Sequence, residues 1–341
     1  MPAGTAAGVI VEATDSRSFS LATYRRGGVE AVGLVVEETL FDLEHLAGSA
    51  AADDASRLRP QATSSVLALL SDWGASFEAL GWLAGRVREA PECSPGIQLA
   101  EAELLAPVPR PGKMVNVGLN YRDHAEEMGI PLPGDGFIPN FFFKGDENCI
   151  VGPSEPIRLS SSHVDWEAEL ALVIGRACRE VDEAEAMDYV AGYTCHNDVS
   201  DRRLMFRADG SLDFLAGKAR DTFGPLGPTL VPKEFVSDVG DLRVRCLVNG
   251  EVMQDMRTSS MVWGPARCVS YLSHVFTLRP GDVIALGTGA GVGWAKGLPP
   301  GPRTMADVVA HFNAGGGVFL RSGDRVVVEV EGVGRLENEV A

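Results

Sequence analysis

Two glutamates stand two positions apart where an apolar segment of the chain begins. Glu167 and Glu169 lead into the continuous apolar run Leu170–Ile174, which predicts a buried strand. Because alternate side chains of a strand point to the same face, both carboxylates are predicted to lie on one side of it. A carboxylate that enters a core is costly unless it is paired or binds a metal ion. The pattern indicates a metal site or, as the alternative, a strand end whose carboxylates lie in solvent.

A third carboxylate follows the next predicted strand. Asp198 ends the phrase His196-Asn-Asp, which comes after the predicted strand Tyr189–Tyr193. Three carboxylates without a cysteine are hard oxygen ligands, and such ligands suit Mg²⁺, with Mn²⁺ or Ca²⁺ as alternatives, better than zinc. His196 could instead be a ligand, but Asp198 would then point to the same face and compete with it for position.

A histidine and a glutamate share one face of a short predicted helix. The segment Asn120–Gly129 predicts a helix over about 121–129, which ends at Gly129. His124 and Glu127 are three positions apart and lie on the same face of this helix. A histidine held by a carboxylate is suited to act as a general base, because the carboxylate fixes the tautomer and supports the imidazolium. The alternative is an exposed amphipathic helix whose charges are incidental.

Two loops could contact an anionic substrate. Lys218 lies in the segment 217–228, which is rich in Gly and Pro and could present an ammonium, although an ordinary surface lysine would give the same pattern. The glycine-rich run 287–293 fails the G-x-G-x-x-G register of a nucleotide-binding turn, because Val292 stands where the third glycine belongs. We interpret this run as a loop that lets a substrate approach backbone amides and the Thr288 hydroxyl.

The elements that must position these side chains fall into two unlike regions. Residues 18–43 predict short strands broken at Gly27-Gly28, and residues 64–90 have the spacing of apolar residues typical of helices. Three prolines in residues 107–112 predict a linker. The sequence therefore predicts a small N-terminal α/β module over residues 1–105.

The longer region, residues 106–341, is predicted to be a β-rich domain of mixed α+β class. Its apolar runs Leu170–Ile174, Val244–Val248 and Val326–Val330 predict strands. Helices are predicted at about 121–129 and 182–190.

Composition excludes several classes of function. The 341 residues contain 30 Lys+Arg and 47 Asp+Glu, for a formal net charge of −17, which argues against nucleic acid as the main partner. The six cysteines are scattered without a CxxC pair, so neither a disulfide framework nor a zinc site made of cysteines is expected. We expect a cytoplasmic protein without a membrane span, because residues 1–16 lack a signal-peptide pattern and the most apolar later stretch contains Asp72 and Glu78.

Taken in order, these segments resemble the fumarylacetoacetate hydrolase family. The resemblance implies a C-terminal β-roll, usually in homodimers, and residues 18–43 look like the small N-terminal module of the longer members. The matching phrases cover roughly residues 113–341: Val117–His124, Asp165–Leu170, Asn197–Ser200, Gly217-Lys218, Asp221–Pro228, Asn249–Glu251 with Gln254-Asp255, and Pro280–Ile284 with Gly287-Thr288.

The resemblance also implies roles for particular residues. The metal ligands of the family fall on Glu167, Glu169 and Asp198, its His–Glu dyad on His124 and Glu127, its substrate-side lysine on Lys218, and its substrate-binding residues on Arg202, Thr288 and Tyr121. Two positions depart from the pattern: Met205 replaces a frequent glutamine, and Gly289 replaces the usual proline. The loop Ile130–Pro139, after the dyad, is predicted to be part of a lid.

The implied activity is that of a divalent-metal-dependent hydrolase, which cleaves a carbon–carbon bond in an acylpyruvate-type substrate. His124, oriented by Glu127, would activate the attacking water, and the expected partner is a small 2-oxo acid. A decarboxylase or a tautomerase/isomerase of a 2-oxo diacid would need the same metal site. The third hypothesis is a family member without catalytic activity that acts as a binding protein.

Overall fold

Strands make up most of the framework around the candidate site. The computed structural model describes residues 17–49, 58, 60–91, 94–130, 136–145, 147–207, 209 and 211–341. The strands of this part are β1 (Ser20–Arg26), β2 (Val29–Val36), β3 (Thr39–Asp42), β4 (Gly96–Gln98), β5 (Leu104–Leu105), β6 (Met114–Gly118), β7 (Asn140–Phe143), β8 (Ile150–Val151), β9 (Val164–Asp165), β10 (Ala168–Ile174), β11 (Val190–Asn197), β12 (Ser200–Asp201), β13 (Gly224–Pro232), β14 (Arg243–Val248), β15 (Glu251–Arg257), β16 (Val283–Ala285), β17 (Arg325–Val330) and β18 (Gly334–Glu339). The α-helices are α1 (Leu43–Ser49), α2 (Val66–Leu70), α3 (Trp73–Glu89), α4 (Arg122–Glu127), α5 (Arg202–Met205), α6 (Phe214–Lys218), α7 (Pro265–Val275) and α8 (Met305–Asn313).

One large mixed sheet carries the residues of the candidate site. Its strand order is β4-β3-β2-β1-β13-β11-β10-β16-β6-β7, with β5 paired to β1 and β8 paired to β13. Every residue of β10 is buried. Leu170 and Leu172 of this strand face one hydrophobic core, whereas Ala171 and Val173 face a second one. A strand buried on both faces reads as a continuous apolar run, which is why the sequence predicted it.

A second sheet packs over one of these cores. Its order is β15-β14-β17-β18, and it contains the predicted strands Val244–Val248 and Val326–Val330. Val244 and Val328 pack in the same core as Leu170 and Leu172. The predicted mixed, β-rich fold class is confirmed.

The N-terminal residues extend the large sheet. The predicted strands of 18–43 are β1 to β3, and the predicted helical segment contains α2 and α3. Leu21 of β1 pairs with Leu230 of β13, so the N-terminal strands continue the sheet that carries β10 and β11. The division into domains at residues 105 and 106 stays a prediction.

The predicted helix at 182–190 is wrong. Only a 3₁₀ turn, Ala186–Tyr189, forms there, and the chain enters β11 at Val190. Ile174 of β10 pairs with Val190, so the segment between them must reverse the chain, and residues 182–185 are exposed with no apolar face to bury. Helices α7 and α8 lie where the sequence analysis predicted none. No helix of the described part combines the length and the apolar character that crossing a membrane requires.

Candidate active site

The pairing of β10 with β11 brings the three predicted carboxylates together. Glu169 lies opposite His196 in the register of the two strands, and just beyond their ends the Asp198 amide donates to the Glu167 carbonyl at 2.9 Å. Glu167, Glu169 and Asp198 each offer one carboxylate oxygen, and these three atoms lie within 4.8 Å of one another. All three residues are buried, so the alternative of a solvated strand end does not apply.

The three carboxylates differ in their electrostatic surroundings. Burial, and then the charges of Asp198 and Glu167, raise the pKa of Glu169 well above its usual value. Burial opposes ionisation of Glu167 and Asp198 as well, but the ammonium of Lys218 helps to lower the pKa of both. The Glu169 carboxylate is therefore the one that most needs an added cation in order to ionise.

The position of Glu169 depends on a glycine of the loop after β16. The Gly287 amide donates to Glu169 Oε2 at 2.9 Å. Gly287 has φ of +89°, and a Cβ at this position would lie 2.5 Å from the Val117 carbonyl oxygen. Only glycine fits this conformation and this close approach, so the loop can bring its amide to the carboxylate.

Three buried cations surround the triad. Lys218 Nζ donates to Glu167 Oε2 at 2.7 Å and to Asp198 Oδ2 at 2.8 Å. Lys144 Nζ donates to Asp198 Oδ1 and to the Val199 carbonyl. Lys218 was predicted to face the site from a loop, and it lies instead at the end of α6. The sequence analysis missed Lys144, which is fully buried and follows β7 directly.

The third cation, Arg202, is held by two carboxylates. Its Nε donates to Asp165 Oδ2 at 3.1 Å, and its Nη2 donates to Glu167 Oε1. Asp165 also accepts from the amides of Gly293 and Trp294, at 2.7 and 3.0 Å. Asp165, which carries no assigned role in the sequence analysis, thus joins the arginine to the glycine-rich loop. The predicted substrate contact of Arg202 stays a prediction.

These observations fit a divalent cation. The donor set consists of three carboxylates, which are the ligands that hard divalent ions prefer. The raised pKa of Glu169 and the fully buried Tyr121 hydroxyl, which has no hydrogen-bond partner among the described residues, both indicate polar groups that await a further partner. Oxygens of Glu167, Glu169 and Asp198 would hold the ion.

We expect the substitution Lys144→Met to destabilise the protein strongly. It would keep most of the side-chain volume but leave a buried oxygen of Asp198 without its ammonium partner. Breaking one side of a buried ion pair lowers the free energy of unfolding by about 3–5 kcal/mol. Urea denaturation without added metal measures this change.

The control for this prediction is Lys233→Met, because Lys233 donates to the backbone carbonyl of Met187 and pairs with no carboxylate among the described residues. An equal loss in both variants would contradict a special role of the Lys144–Asp198 pair.

The predicted dyad of His124 and Glu127 forms on α4. Helix α4 follows β6, and His124 Nδ1 lies 3.1 Å from Glu127 Oε2. The other oxygen of Glu127 accepts from the Gly291 amide at 2.8 Å, which fixes the carboxylate. Nε2 of His124 has no hydrogen-bond partner among the described residues, so this nitrogen remains for a ligand.

An asparagine holds the junction before this helix. Asn120 donates to the carbonyls of Leu286 and Trp263, at 2.8 and 3.0 Å, and accepts from the Trp263 amide at 2.9 Å. These bonds tie the start of α4 to the strand end after β16. The bonds of Asn120 and the buried side chains of His124 and Ala125 together fix the position of the helix.

The remaining candidate residues are all buried but differ in their contacts; they are Thr288, Tyr121 and His196. Thr288 Oγ1 donates to the Ala168 carbonyl at 2.8 Å and accepts from Gln254 Nε2 at 2.8 Å. Tyr121 is fully buried and does not line the cavity described below, so its predicted role in substrate binding gains no support from the geometry. His196 uses both ring nitrogens, towards the Pro225 carbonyl and Asn116, and it is not part of the acidic cluster.

A cavity of about 110 Å³ is lined by one residue of the triad, Glu167, and one residue of the dyad, His124. Of the predicted lid, residues 131–135 lie outside the described residues. The cavity is lined by Val117, Gly118, Leu119, His124, Met128, Ile130, Asn140, Phe142, Glu167, Arg202, Met205, Phe206, Leu212, Phe214, Lys218, Thr288 and Trp294. It therefore places one carboxylate of the triad, a candidate base and two cations around one small space.

Comparison with known proteins identifies the class of this site. The model of the fumarylacetoacetate (FAA) hydrolase C-terminal family matches residues 113–341. The chain therefore belongs to the fumarylacetoacetate hydrolase family of enzymes.

The names of the relatives describe different activities. The mitochondrial oxaloacetate tautomerase fahd2 of Xenopus laevis is 41% identical over 239 residues, which cover 70% of this chain and 68% of that protein. The solved fumarylacetoacetate hydrolase of Exiguobacterium antarcticum is 28% identical, with a TM-score of 0.70 over 95% of this chain and 99% of that one. The maleylpyruvate hydrolase of Sphingobium sp. SYK-6, solved with manganese(II) and pyruvate, is 27% identical, with a TM-score of 0.67 over 94% and 98% of the two chains.

Proposed function

We propose that this chain is a divalent-metal-dependent tautomerase, which interconverts the keto and enol forms of a 2-oxo acid. The observation that carries the proposal is the pair His124–Glu127, whose histidine lines the same cavity as Glu167 and Lys218. Tautomerisation requires a base that can reach the carbon next to the keto group. It also requires a site that tolerates negative charge on the keto oxygen.

Different residues of the protein move the proton and orient the base. His124 Nε2 takes a proton from the carbon beside the keto group, and the imidazolium so formed gives a proton to the keto oxygen, which returns the ring to its neutral form. Glu127 holds the ring in the required tautomer and supports the imidazolium while it carries the proton. Thr288, whose proton is used towards Ala168, can act towards a ligand only as an acceptor.

The proposed metal is Mg²⁺, with Mn²⁺ or Ca²⁺ as alternatives. Glu167, Glu169 and Asp198 would hold it. When bound, such an ion supplies positive charge that stabilises the negative charge developing on the substrate's oxygens. Lys218 and Arg202 keep the two ligands that they contact ionised, so that these oxygens are available to a cation.

The relatives support a reaction of this kind. The frog protein is named an oxaloacetate tautomerase, and its 41% identity extends over most of this chain. The structural relative that was solved with manganese(II) and pyruvate shows a 2-oxo acid and a divalent ion together on a similar fold. Both names fit chemistry at the carbon beside a 2-oxo group.

Proton exchange in deuterated water tests the proposal. We expect the protein with Mg²⁺ to exchange the hydrogens beside the keto group of a 2-oxo acid for deuterium, as followed by proton NMR. The same protein treated with a chelator is the control. No exchange above the rate of free Mg²⁺ would contradict the proposed function.

A carbon–carbon hydrolase remains the second candidate. The same observation favours it, because a base that lines the cavity could activate water instead of removing a proton from carbon. The maleylpyruvate hydrolase among the structural relatives supports this reading. Product analysis with an acylpyruvate separates the two: cleavage yields pyruvate and a second acid, whereas tautomerisation leaves the carbon chain intact.

Assembly and location stay predictions. We propose a homodimer, which light scattering during size-exclusion chromatography would detect. We also keep the expectation of a cytoplasmic protein, although the frog relative is named mitochondrial.

A further inference from the structure

We infer that the part of the substrate beyond the 2-oxo acid group is short, uncharged and apolar, so that a second carboxylate is disfavoured. This inference rests on the proposed function and names the substrate class of the same site. It departs from what the name of the frog relative would suggest, since oxaloacetate carries two carboxylates.

Part of the cavity wall consists of apolar side chains. It is formed by Leu119, Met205, Phe206, Leu212, Phe214 and Trp294. These residues belong to or pack against a separate hydrophobic cluster, which also contains Val308 and Phe312 of α8. A charged group placed against such a wall would lose its hydration and could gain only one neutral donor among these side chains, the Trp294 indole N–H, which has no hydrogen-bond partner among the described residues.

The aromatic rings of this wall are packed against other rings. Phe214 stacks on Phe142 at 4.8 Å between ring centroids, and Phe206 meets Trp294 edge to face at 5.3 Å. Phe206 also contacts Phe312 of α8 at 5.6 Å. The apolar wall is thus supported from behind, so its rings cannot easily turn away to admit a charged group.

On the described part of the wall, each cation is already engaged by a protein carboxylate, and the remaining Arg202 nitrogen, Nη1, donates to the Met205 sulfur at 3.6 Å. Arg202 and Lys218 are the cations among the described lining residues, and both already bind carboxylates of the protein. Arg207 pairs with Asp213, and Arg303 donates to the Glu127 carbonyl without lining the cavity. The residues outside the described part that are close to lining residues in the sequence, 131–135, 208 and 210, contain no Lys or Arg.

The balance of charge points the same way. In their charged forms, four carboxylates and three cations leave the buried cluster with one net negative charge, and a divalent ion would turn this into one net positive charge. A substrate with a single carboxylate neutralises that charge, whereas a second carboxylate would add an unbalanced negative charge in a buried place. The groups in this balance are Asp165, Glu167, Glu169, Asp198, Lys144, Lys218 and Arg202.

The size of the cavity limits the apolar group. Its volume of about 110 Å³ is smaller than the roughly 150 Å³ of an engineered cavity that binds benzene. A small 2-oxo acid with a short alkyl remainder is compatible with this space. A longer or branched remainder would have to extend out of this space.

Binding of two matched 2-oxo acids tests the inference. 2-Oxopentanoate and 2-oxoglutarate have the same chain length and differ by a methyl group in place of the second carboxylate. By titration calorimetry with the Mn²⁺-loaded protein, we expect 2-oxopentanoate to bind at least about tenfold more tightly. Binding is measured rather than turnover, so the result does not depend on which reaction the enzyme catalyses.

A variant provides the converse test. Met205 lines the wall, and its sulfur lies 3.6 Å from Arg202 Nη1, so Met205→Lys would add a second cation at this part of the cavity. We expect the ratio of the two affinities to shift towards 2-oxoglutarate by about tenfold or more. The control is Leu215→Lys, because Leu215 is 74% exposed and does not line the cavity.

The outcomes separate this inference from the proposed function. Equal or tighter binding of 2-oxoglutarate by the unmodified protein would overturn the inference and leave the proposed function in place, whether or not Met205→Lys folds. If neither acid binds in the presence of Mn²⁺, the proposed function fails, and the inference fails with it.

Discussion

Replacement of His124 by alanine should reduce proton exchange at the carbon beside the keto group by about 10²–10⁴-fold, the usual contribution of one general base. His124 lines the cavity, and Glu127 occupies only one of its ring nitrogens. Because the histidine is not part of the acidic cluster, metal affinity should change little. Deuterium exchange with saturating Mg²⁺ measures the first effect, and Mn²⁺ calorimetry measures the second.

The control for this variant is His45→Ala, since His45 is exposed on α1. Glu127→Gln should give a smaller loss together with a changed pH profile, because it keeps the ring but alters the support of its charged form. If His124→Ala retained full exchange and metal binding, the base would have to be another group, and the proposed division of roles would be wrong.

Glu169→Gln should remove most of the affinity for divalent metal while leaving the metal-free protein at least as stable. Burial and two neighbouring carboxylates raise the pKa of Glu169. A carboxyl whose pKa is higher in the folded than in the unfolded state lowers stability at neutral pH, where it would be charged in the unfolded chain. The neutral amide relieves this penalty, yet it is a much weaker ligand for a hard cation.

Thermal or chemical unfolding with and without Mg²⁺ reports both effects. At a metal concentration of 100 times Kd, binding stabilises a protein by about 2.7 kcal/mol, and we expect the variant to lose most of this gain. The control is Glu251→Gln at an exposed position of β15. Undiminished stabilisation by metal in Glu169→Gln would contradict the assignment of this ligand.

The sequence predicted those parts of the site that depend on local periodicity. Glu167 and Glu169 share a face because a strand repeats every two residues, and His124 meets Glu127 because a helix returns after three or four. Both relations join positions only two or three residues apart. They depend on the local strand or helix and not on contacts with distant segments.

The cations around the triad could not be found in this way. Lys144 and Asp198 are 54 positions apart, and nothing near Lys144 in the sequence distinguishes it from a surface lysine. The resemblance drew attention to Arg202 as a substrate contact, but its pairing with Asp165 becomes visible only when β9 and α5 are placed together. Contacts between distant segments depend on topology, which local patterns do not encode.

Helices α7 and α8 illustrate a different limit. Pro265 in the first turn of α7 and the capping box between Thr304 and Asp307 at α8 are recognisable start signals. Both helices are short and lie between strands, so the strand patterns around them favoured the prediction of a β-rich region without these helices. The acidic segment at 182–185 had the opposite effect, since it has helix-favouring residues but no face to bury.

The strand β10 belongs to two cores at once, and this has a consequence for cooperativity. Its residues Ala171 and Val173 pack with N-terminal residues such as Leu21, whereas Leu170 and Leu172 pack with the second sheet. A chain truncated to residues 113–341 would leave one side of the strand that carries Glu169 uncovered. We therefore expect chelation and truncation to act on a single melting transition, because the N-terminal residues cover one face of the strand that carries a proposed metal ligand.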